Sequence, residues 1–196
     1  MFQRGDQIYM FYHSQKMAAD MGITQGYRTT GVDYVTMDEN GDLTCKMTET
    51  GVEQVGTFNP YEVVEAETFA WSEGVSTIVG PKQDNTRNNR VLSSIDNRDY
   101  VGLSGVDFGS EGARSVKMSV ASATGESVEG TISVYCDYMT PANKVGEINV
   151  KAGKDFTDVF AKLSKTVQGT HKLYFKFNMS GILVDTWSFS TSEDAE

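Results

Sequence analysis

Apolar and polar side chains alternate along much of this chain, most sharply in two places. Val116, Met118 and Val120 are separated by Lys117 and Ser119, and Leu173, Phe175 and Phe177 are separated by Tyr174 and Lys176. A period of two sends successive side chains to opposite faces of an extended backbone. Each segment is therefore predicted to be an antiparallel strand with one face in a common core. Strand-forming residues recur at short intervals over 61–69, 100–103, 115–121, 130–136, 145–150, 159–163, 172–177 and 186–189. Strands of this length and spacing predict a sandwich of two sheets, an all-β fold. Upstream, residues 6–13 carry aromatics after a Gly-Asp turn, and Tyr34 to Met37 runs into Asp38-Glu39-Asn40-Gly41-Asp42, a hairpin signature. Residues 51–60 read as a junction, 81–90, rich in Asn and Arg, as a long surface loop, and 190–196 as a frayed acidic tail.

Composition agrees with that pattern. The 196 residues are 39% hydrophobic and 22% charged, with 19 glycines against 3 prolines, as expected of short strands joined by tight turns. The net charge of -10 repels phosphate backbones and anionic lipid surfaces, so neither nucleic acid nor a membrane is an expected partner. Cys45 and Cys136 stand far apart and form no framework or metal motif; both read as small buried hydrophobes. The first residues, Met-Phe-Gln-Arg-Gly-Asp-Gln, show no signal peptide. The acidic turn at 38–42 lacks the spaced oxygen ligands and terminal Glu of a helix-flanked calcium loop and is expected to be a solvated turn.

One ordered set of motifs is more specific. Tyr61-Glu-Val-Val-Glu65-Ala66-Glu67 is followed by Ile95-Asp-Asn-Arg-Asp99-Tyr100, Val106-Asp107-Phe108-Gly109, Gly112-Ala113-Arg114-Ser115, Val145-Gly-Glu-Ile, Gly169-Thr170-His171 and Asp185-Thr-Trp187-Ser-Phe189. Residues 61–190 thereby resemble a family 6 carbohydrate-binding module, which implies a jelly-roll β-sandwich. Phe11-Tyr12-His13-Ser14, Tyr27-Arg28, Val32-Asp33-Tyr34 and Asp42-Leu43 resemble the last strands of a family 43 glycoside hydrolase propeller. The resemblance thus divides the chain into 1–60, the β-hairpins of a truncated β-propeller, 61–190, the binding module, and 191–196, an acidic tail.

The resemblance also implies sites. Glu65 and Glu67 lie two apart, so in a strand they share a face, and Asp185 on a neighbouring strand would complete an oxygen cage for a structural Ca2+ ion. The alternative is a pair of solvated acids on a strand edge. The family's sugar cleft clamps a ring between two aromatics beside an Asn; those positions fall here on Ser94, on Gly153 or Lys154, and on Leu183, so that cleft is expected to be weak or silent. Phe156 replaces the second aromatic if the loop is shifted, or else packs in the core. Trp71 beside Glu73, and Tyr138 near Asn143, are the other carbohydrate-binding candidates, with packing as their alternative role.

Catalysis is not expected of this chain. A glycosidase needs two opposed carboxyl groups, and the family 43 pocket takes them from propeller blades that this sequence does not contain. His13 resembles a histidine near the propeller axis, with a packed core histidine as the alternative; His171 reads as structural. No Gly-x-Ser-x-Gly elbow or phosphate loop is present. The expected function is non-catalytic binding of plant cell-wall polysaccharide, of xylan or arabinoxylan type, in the service of an attached hydrolase. The alternatives are a structural interdomain module with a degenerate sugar site, and part of an active arabinofuranosidase or xylosidase in a longer parent chain. The resemblance implies an extracellular or periplasmic location, and a partner for residues 1–60 in the remainder of a hydrolase domain or in another copy of the chain.

Overall fold

A computed structural model describes residues 1–15, 29–48, 51–83 and 88–193, and over much of them the alternating side chains become strands. The chain forms two units, Met1–Val55 and Gly56–Glu196.

In the first unit, β1 (Phe2–Arg4), β2 (Gln7–Ser14), β3 (Thr29–Met37) and β4 (Leu43–Cys45) make one antiparallel sheet in chain order. The register stacks Phe2 on Tyr9 and Tyr9 on Tyr34, with ring centroids 6.4 and 5.5 Å apart. The acidic turn behaves as expected: Asp38 Oδ1 accepts the backbone N–H groups of Asn40 and Asp42, both at 2.9 Å. Gly41 takes the left-handed φ of +86° that this turn needs. Buried Asp33 accepts hydrogen bonds from the Tyr12 hydroxyl and the Thr48 hydroxyl, each at 2.5 Å, and from Thr48 N–H at 2.9 Å. Donors from Thr48 and Tyr12 hold the Asp33 carboxyl below its ordinary value, and the bond to Asp33 pushes the Tyr12 phenol up to about 12. Two expectations fail here. His13 is exposed rather than packed, near the end of β2, and Cys45 is only half-buried at the end of the edge strand β4. The Tyr27-Arg28 motif lies outside the described residues.

In the second unit, one sheet runs β13 (Thr157–Val167), β10 (Ala113–Ser122), β15 (Ile182–Ser190), β8 (Asn88–Ser93), β7 (Ser76–Gln83), with β5 (Val64–Glu65) also on β15. The facing sheet runs β12 (Lys144–Ala152), β11 (Val128–Cys136), β14 (Thr170–Phe177), β9 (Tyr100–Asp107), β6 (Trp71–Glu73). Between them lie the inward residues of the alternating pattern, among them Val116, Met118, Ile132, Phe175 and Trp187. Phe175 meets Trp187 at 5.3 Å, and Phe108 meets Phe189 edge-on at 5.1 Å. Burying each such ring contributes roughly 1.5–3 kcal/mol.

Three local expectations are corrected. The strand expected over 61–69 shrinks to Val64–Glu65, because the backbone turns at Ala66, with Thr68 N–H bonded to Glu65 O at 2.9 Å and Phe69 N–H to Glu67 O at 3.1 Å. Of the surface loop expected over 81–90, residues 81–83 and 88–90 belong to the paired strands β7 and β8, whose register runs from Ser76↔Ser93 to Val79↔Arg90 and shifts before Gln83↔Asn88; 84–87 lie outside the described residues. Arg90 reaches across the pair: it donates through Nη2 to Thr77 O at 2.6 Å and through Nε to the Thr77 hydroxyl at 2.8 Å. Of the tail, Ser190 closes β15 and Glu193 pairs with Lys162 at 2.5 Å, so its beginning is tied down; residues 194–196 lie outside the described part.

Candidate functional site

Core residues on one side of the five-stranded sheet leave a polar and aromatic row on the other. Leu173, Phe175 and Phe177 point inward, so Tyr174 and Lys176 point outward; Val101 and Leu103 do the same for Tyr100 and Gly102. The register then sets Trp71, Gly102, Tyr174, Tyr135 and Lys144 side by side across the strands. The next outward row holds Glu73, Tyr100, Lys176, Ser133 and Glu147.

Gly102 makes the first row possible. A Cβ built there would lie 2.2 Å from Trp71 Nε1, so the indole lies over bare backbone. Its ring sits 5.7 Å from Tyr174, and Tyr174 is 6.3 Å from Tyr100. All three rings are half-exposed. Polar groups continue the same two rows across β11 and β12. Asn178 Nδ2 donates to the Thr131 hydroxyl at 3.0 Å and to Ser133 Oγ at 2.9 Å, Ser133 Oγ donates to Glu147 Oε2 at 3.4 Å, and Lys144 pairs with Glu147. Apolar ring faces flanked by oriented donors and acceptors suit a saccharide, whose C–H face stacks while its hydroxyls hydrogen-bond.

Trp71 and Glu73, expected from the sequence, belong to this face. Tyr100, Tyr174 and Lys176 were not among the expected residues; their signal lay in the polar half of the alternation. Tyr138 is 68% exposed on a separate turn before the 3-10 segment Pro141–Asn143, where Asn143 Oδ1 accepts the Thr140 hydroxyl at 2.7 Å. Phe156 is half-buried just ahead of β13 and is not part of the main core.

The positions of the family's cleft meet at one end of the sandwich. Ser122 N–H bonds to Gly153 O at 2.7 Å, Gly181 N–H to Ile95 O at 3.0 Å, and Leu183 pairs with Ala121. Ser94 is exposed and accepts a hydrogen bond from Ser76 Oγ at 2.8 Å, and a Cβ at Gly153 would meet nothing within 4 Å. Hydroxyl, hydrogen and a half-buried Leu183 supply no stacking surface there.

The acids expected to hold calcium are arranged differently from a shared strand face. Glu65 is exposed opposite Thr186, and β5 ends there, so Glu67 lies beyond the turn. Among the described residues, no group of three His, Cys, Asp or Glu side chains gathers at metal-holding distance. Yet Glu67 Oε2 is buried without a hydrogen-bond partner among the described residues. Ala66 N–H bonds to Asp185 O at 2.8 Å, and Asn89 Nδ2 donates to Asp185 Oδ1 at 3.0 Å, tying Asp185 to the residue before Glu67. A buried carboxylate oxygen lacking a donor is costly unless a cation meets it, and an all-oxygen set of Glu67, Asp185 and Asn89 suits a hard cation. The residues fit calcium.

A further hollow of about 280 Å³ is lined by Cys136, Asp137, Asn143 and His171. His171 Nδ1 lies 2.9 Å from Asp137 Oδ2 and Nε2 lies 2.8 Å from Gln168 O, which fastens two turns together. Burial pushes the Cys136 thiol up to about 12, so it is no nucleophile.

Residues 65–191 match the family described as carbohydrate binding module (family 6). The arabinoxylan arabinofuranohydrolase of Bacillus subtilis (strain 168) is 31% identical over 96% of this chain and 37% of its own length. The crystal structure of a glycoside hydrolase family 43 arabinoxylan arabinofuranohydrolase from Bacillus subtilis, in complex with cellotetraose, is similar at TM-score 0.83 and 31% identity. That match covers 96% of this chain and 39% of that one. A family 6 module from Clostridium cellulolyticum, in complex with xylose, aligns at TM-score 0.56 and 26% identity over 68% of this chain and 99% of that one. The chain thus spans less than two-fifths of the length of either hydrolase.

Proposed function

Because this chain belongs to the family 6 carbohydrate-binding modules, we propose that it binds neutral plant polysaccharide of the xylan or arabinoxylan type on the outer face of its five-stranded sheet. The observation that carries this is the half-exposed cluster of Trp71, Tyr174 and Tyr100, held against Gly102 and bordered by Glu73, Lys176 and Ser133. The rings stack on sugar faces, and the charged and hydroxyl groups orient the chain of sugars along the strands. The module itself is non-catalytic. In a longer parent it would hold a hydrolase of the arabinofuranosidase or xylosidase kind on its substrate, outside the cell where that substrate lies.

Affinity electrophoresis in gels of soluble arabinoxylan, xylan and β-glucan tests this. Retardation by arabinoxylan that disappears in Trp71→Ala is expected; unretarded migration in all three gels would overturn the proposal. The degenerate positions Ser94, Gly153 and Leu183 support the alternative of an interdomain spacer, in which no exposed aromatic is needed for binding.

We infer also that Glu67 and Asp185, with the amide oxygen of Asn89, would hold a structural calcium ion, supported by the buried Glu67 Oε2. Glu65, now exposed, would join them by reorienting its side chain. Bound calcium would supply positive charge that ties β5 and its turn to β15.

A further inference from the structure

The outer face of the other sheet holds a hollow of about 200 Å³ that the sugar face does not use. Its floor is built by register: Ser119 stands between Asp158 on β13 and Thr186 on β15, and Lys117 stands between Phe160 and Ser188. Met118 and Val120 are buried in the core, so Ser119 between them points outward into the hollow. Ser119 is only 5% exposed, and it lines the hollow from its floor. Lys117 Nζ lies 3.6 Å from Asp158 Oδ2 and 6.0 Å above the Phe160 ring, so the wall carries a cation and an anion that neutralise each other. Val63, 68% exposed, forms an apolar lip.

We propose that this hollow is a second saccharide subsite, holding one neutral sugar ring on the sheet opposite the Trp71 face. The choice of ligand class rests on the carbohydrate-binding function proposed above, and the chemistry of the hollow agrees with it. Ser119, Thr186 and Ser188 offer hydroxyls that both donate and accept, Lys117 donates, Asp158 accepts, and Val63 meets a C–H face. A polyol supplies the matching groups in alternation. An anion is disfavoured, since Asp158 offsets Lys117 and the chain carries a net charge of -10. The volume is below the roughly 300 Å³ at which pockets for larger ligands begin, which fits one ring rather than a run of sugars.

The test is a titration of the whole chain with xylohexaose, followed in 15N–1H NMR spectra. The backbone amides of Ser119, Thr186 and Ser188 are expected to shift saturably, with a dissociation constant distinct from that read at the Trp71 indole N–H. Ser119→Val should weaken the affinity read at Ser188 by roughly fivefold, the loss of one neutral hydrogen bond, while leaving the Trp71 titration unchanged. Thr186→Val, which removes a hydroxyl at almost constant shape, should do the same and stands in if Ser119→Val misfolds. Static Ser119, Thr186 and Ser188 amides while the Trp71 indole saturates would overturn the subsite and leave the Trp71 face standing. Unchanged titration at Ser188 in both variants would overturn it too. If neither set of signals moves, the proposed carbohydrate binding falls, and this subsite falls with it.

Discussion

Replacing Gly102 by Ala isolates the aromatic platform from the rest of the fold. The new methyl carbon would sit 2.2 Å from Trp71 Nε1 and 2.8 Å from Cε2, far inside contact distance, while the strand backbone stays fixed by its pairing to β6 and β14. Trp71 lies on the edge strand β6, so its ring is what gives way. Gly102 is not in the left-handed region, so Ala can adopt its backbone and lowers the entropy of the unfolded chain, a gain of about 0.4–1 kcal/mol. Displacing the indole from Tyr174 forfeits about 0.5–1.5 kcal/mol of ring pairing. The two effects nearly cancel, so stability should change by no more than about 1 kcal/mol, a melting shift within roughly 4 °C. Binding should respond quite differently. A central aromatic anchor commonly contributes 2 kcal/mol or more, so arabinoxylan affinity should fall by about 30-fold.

Calorimetric titration with a soluble arabinoxylan fragment, paired with a thermal melt of the same sample, reads both quantities. Unchanged affinity in a variant that melts normally would show that the polysaccharide does not rest on Trp71. A large drop in melting temperature would show instead that the indole supports the sandwich, which is its packing role.

Further outcomes follow from the same geometry. If calcium is held by Glu67 and Asp185, saturation at 100 times its dissociation constant adds about 2.7 kcal/mol, so chelator should lower the melting temperature by roughly 5–10 °C, and Glu67→Gln should abolish that response. The Tyr12 phenol, raised from 10.0 to about 12, contributes stability that is complete below pH 10 and lost as pH climbs toward 12; Asp33→Asn should return its titration, followed by tyrosine ring NMR, toward 10. Asp33, held below 3.8, stabilises the first unit above that value and ceases to as pH falls through its depressed value, which an acid melt of the first unit's NMR signals would register. Cys136, buried and raised to about 12, should resist a thiol reagent at pH 8 until denaturant is added, and labelling in the native state would contradict the packing around it.

The core was legible because it is written locally. Leu173, Phe175 and Phe177 declare their face within five successive positions of one strand, and Val116, Met118 and Val120 do likewise. The pairing of β7 and β8 was not, because Asn89 and Arg90 look like loop residues until Thr77 is brought within reach of the guanidinium. The relative placement of Glu65 and Glu67 was not legible: a period of two holds only while a strand lasts, and β5 lasts for Val64 and Glu65 alone. The proposed sugar face was the least legible. Trp71, Gly102 and Tyr174 come from three distant segments, and each looks ordinary until the register of β6, β9 and β14 aligns them.

That register also explains how the module could keep its ligand while the end of the sandwich lost its aromatics. Ser94, Gly153 and Leu183 sit on connections and at a strand end, where substitution disturbs little; a Cβ at Gly153 would meet open space. The platform is constrained from beneath instead. Tyr174 alternates with Leu173 and Phe175, both almost fully buried, and the Trp71 ring occupies the space that any side chain at Gly102 would need. The rings of the sheet face are thus placed by register and close packing, whereas Gly153 at the end of the sandwich has no such neighbours. Loss of the cleft at the end of the sandwich therefore need not imply loss of the proposed carbohydrate recognition on the sheet face.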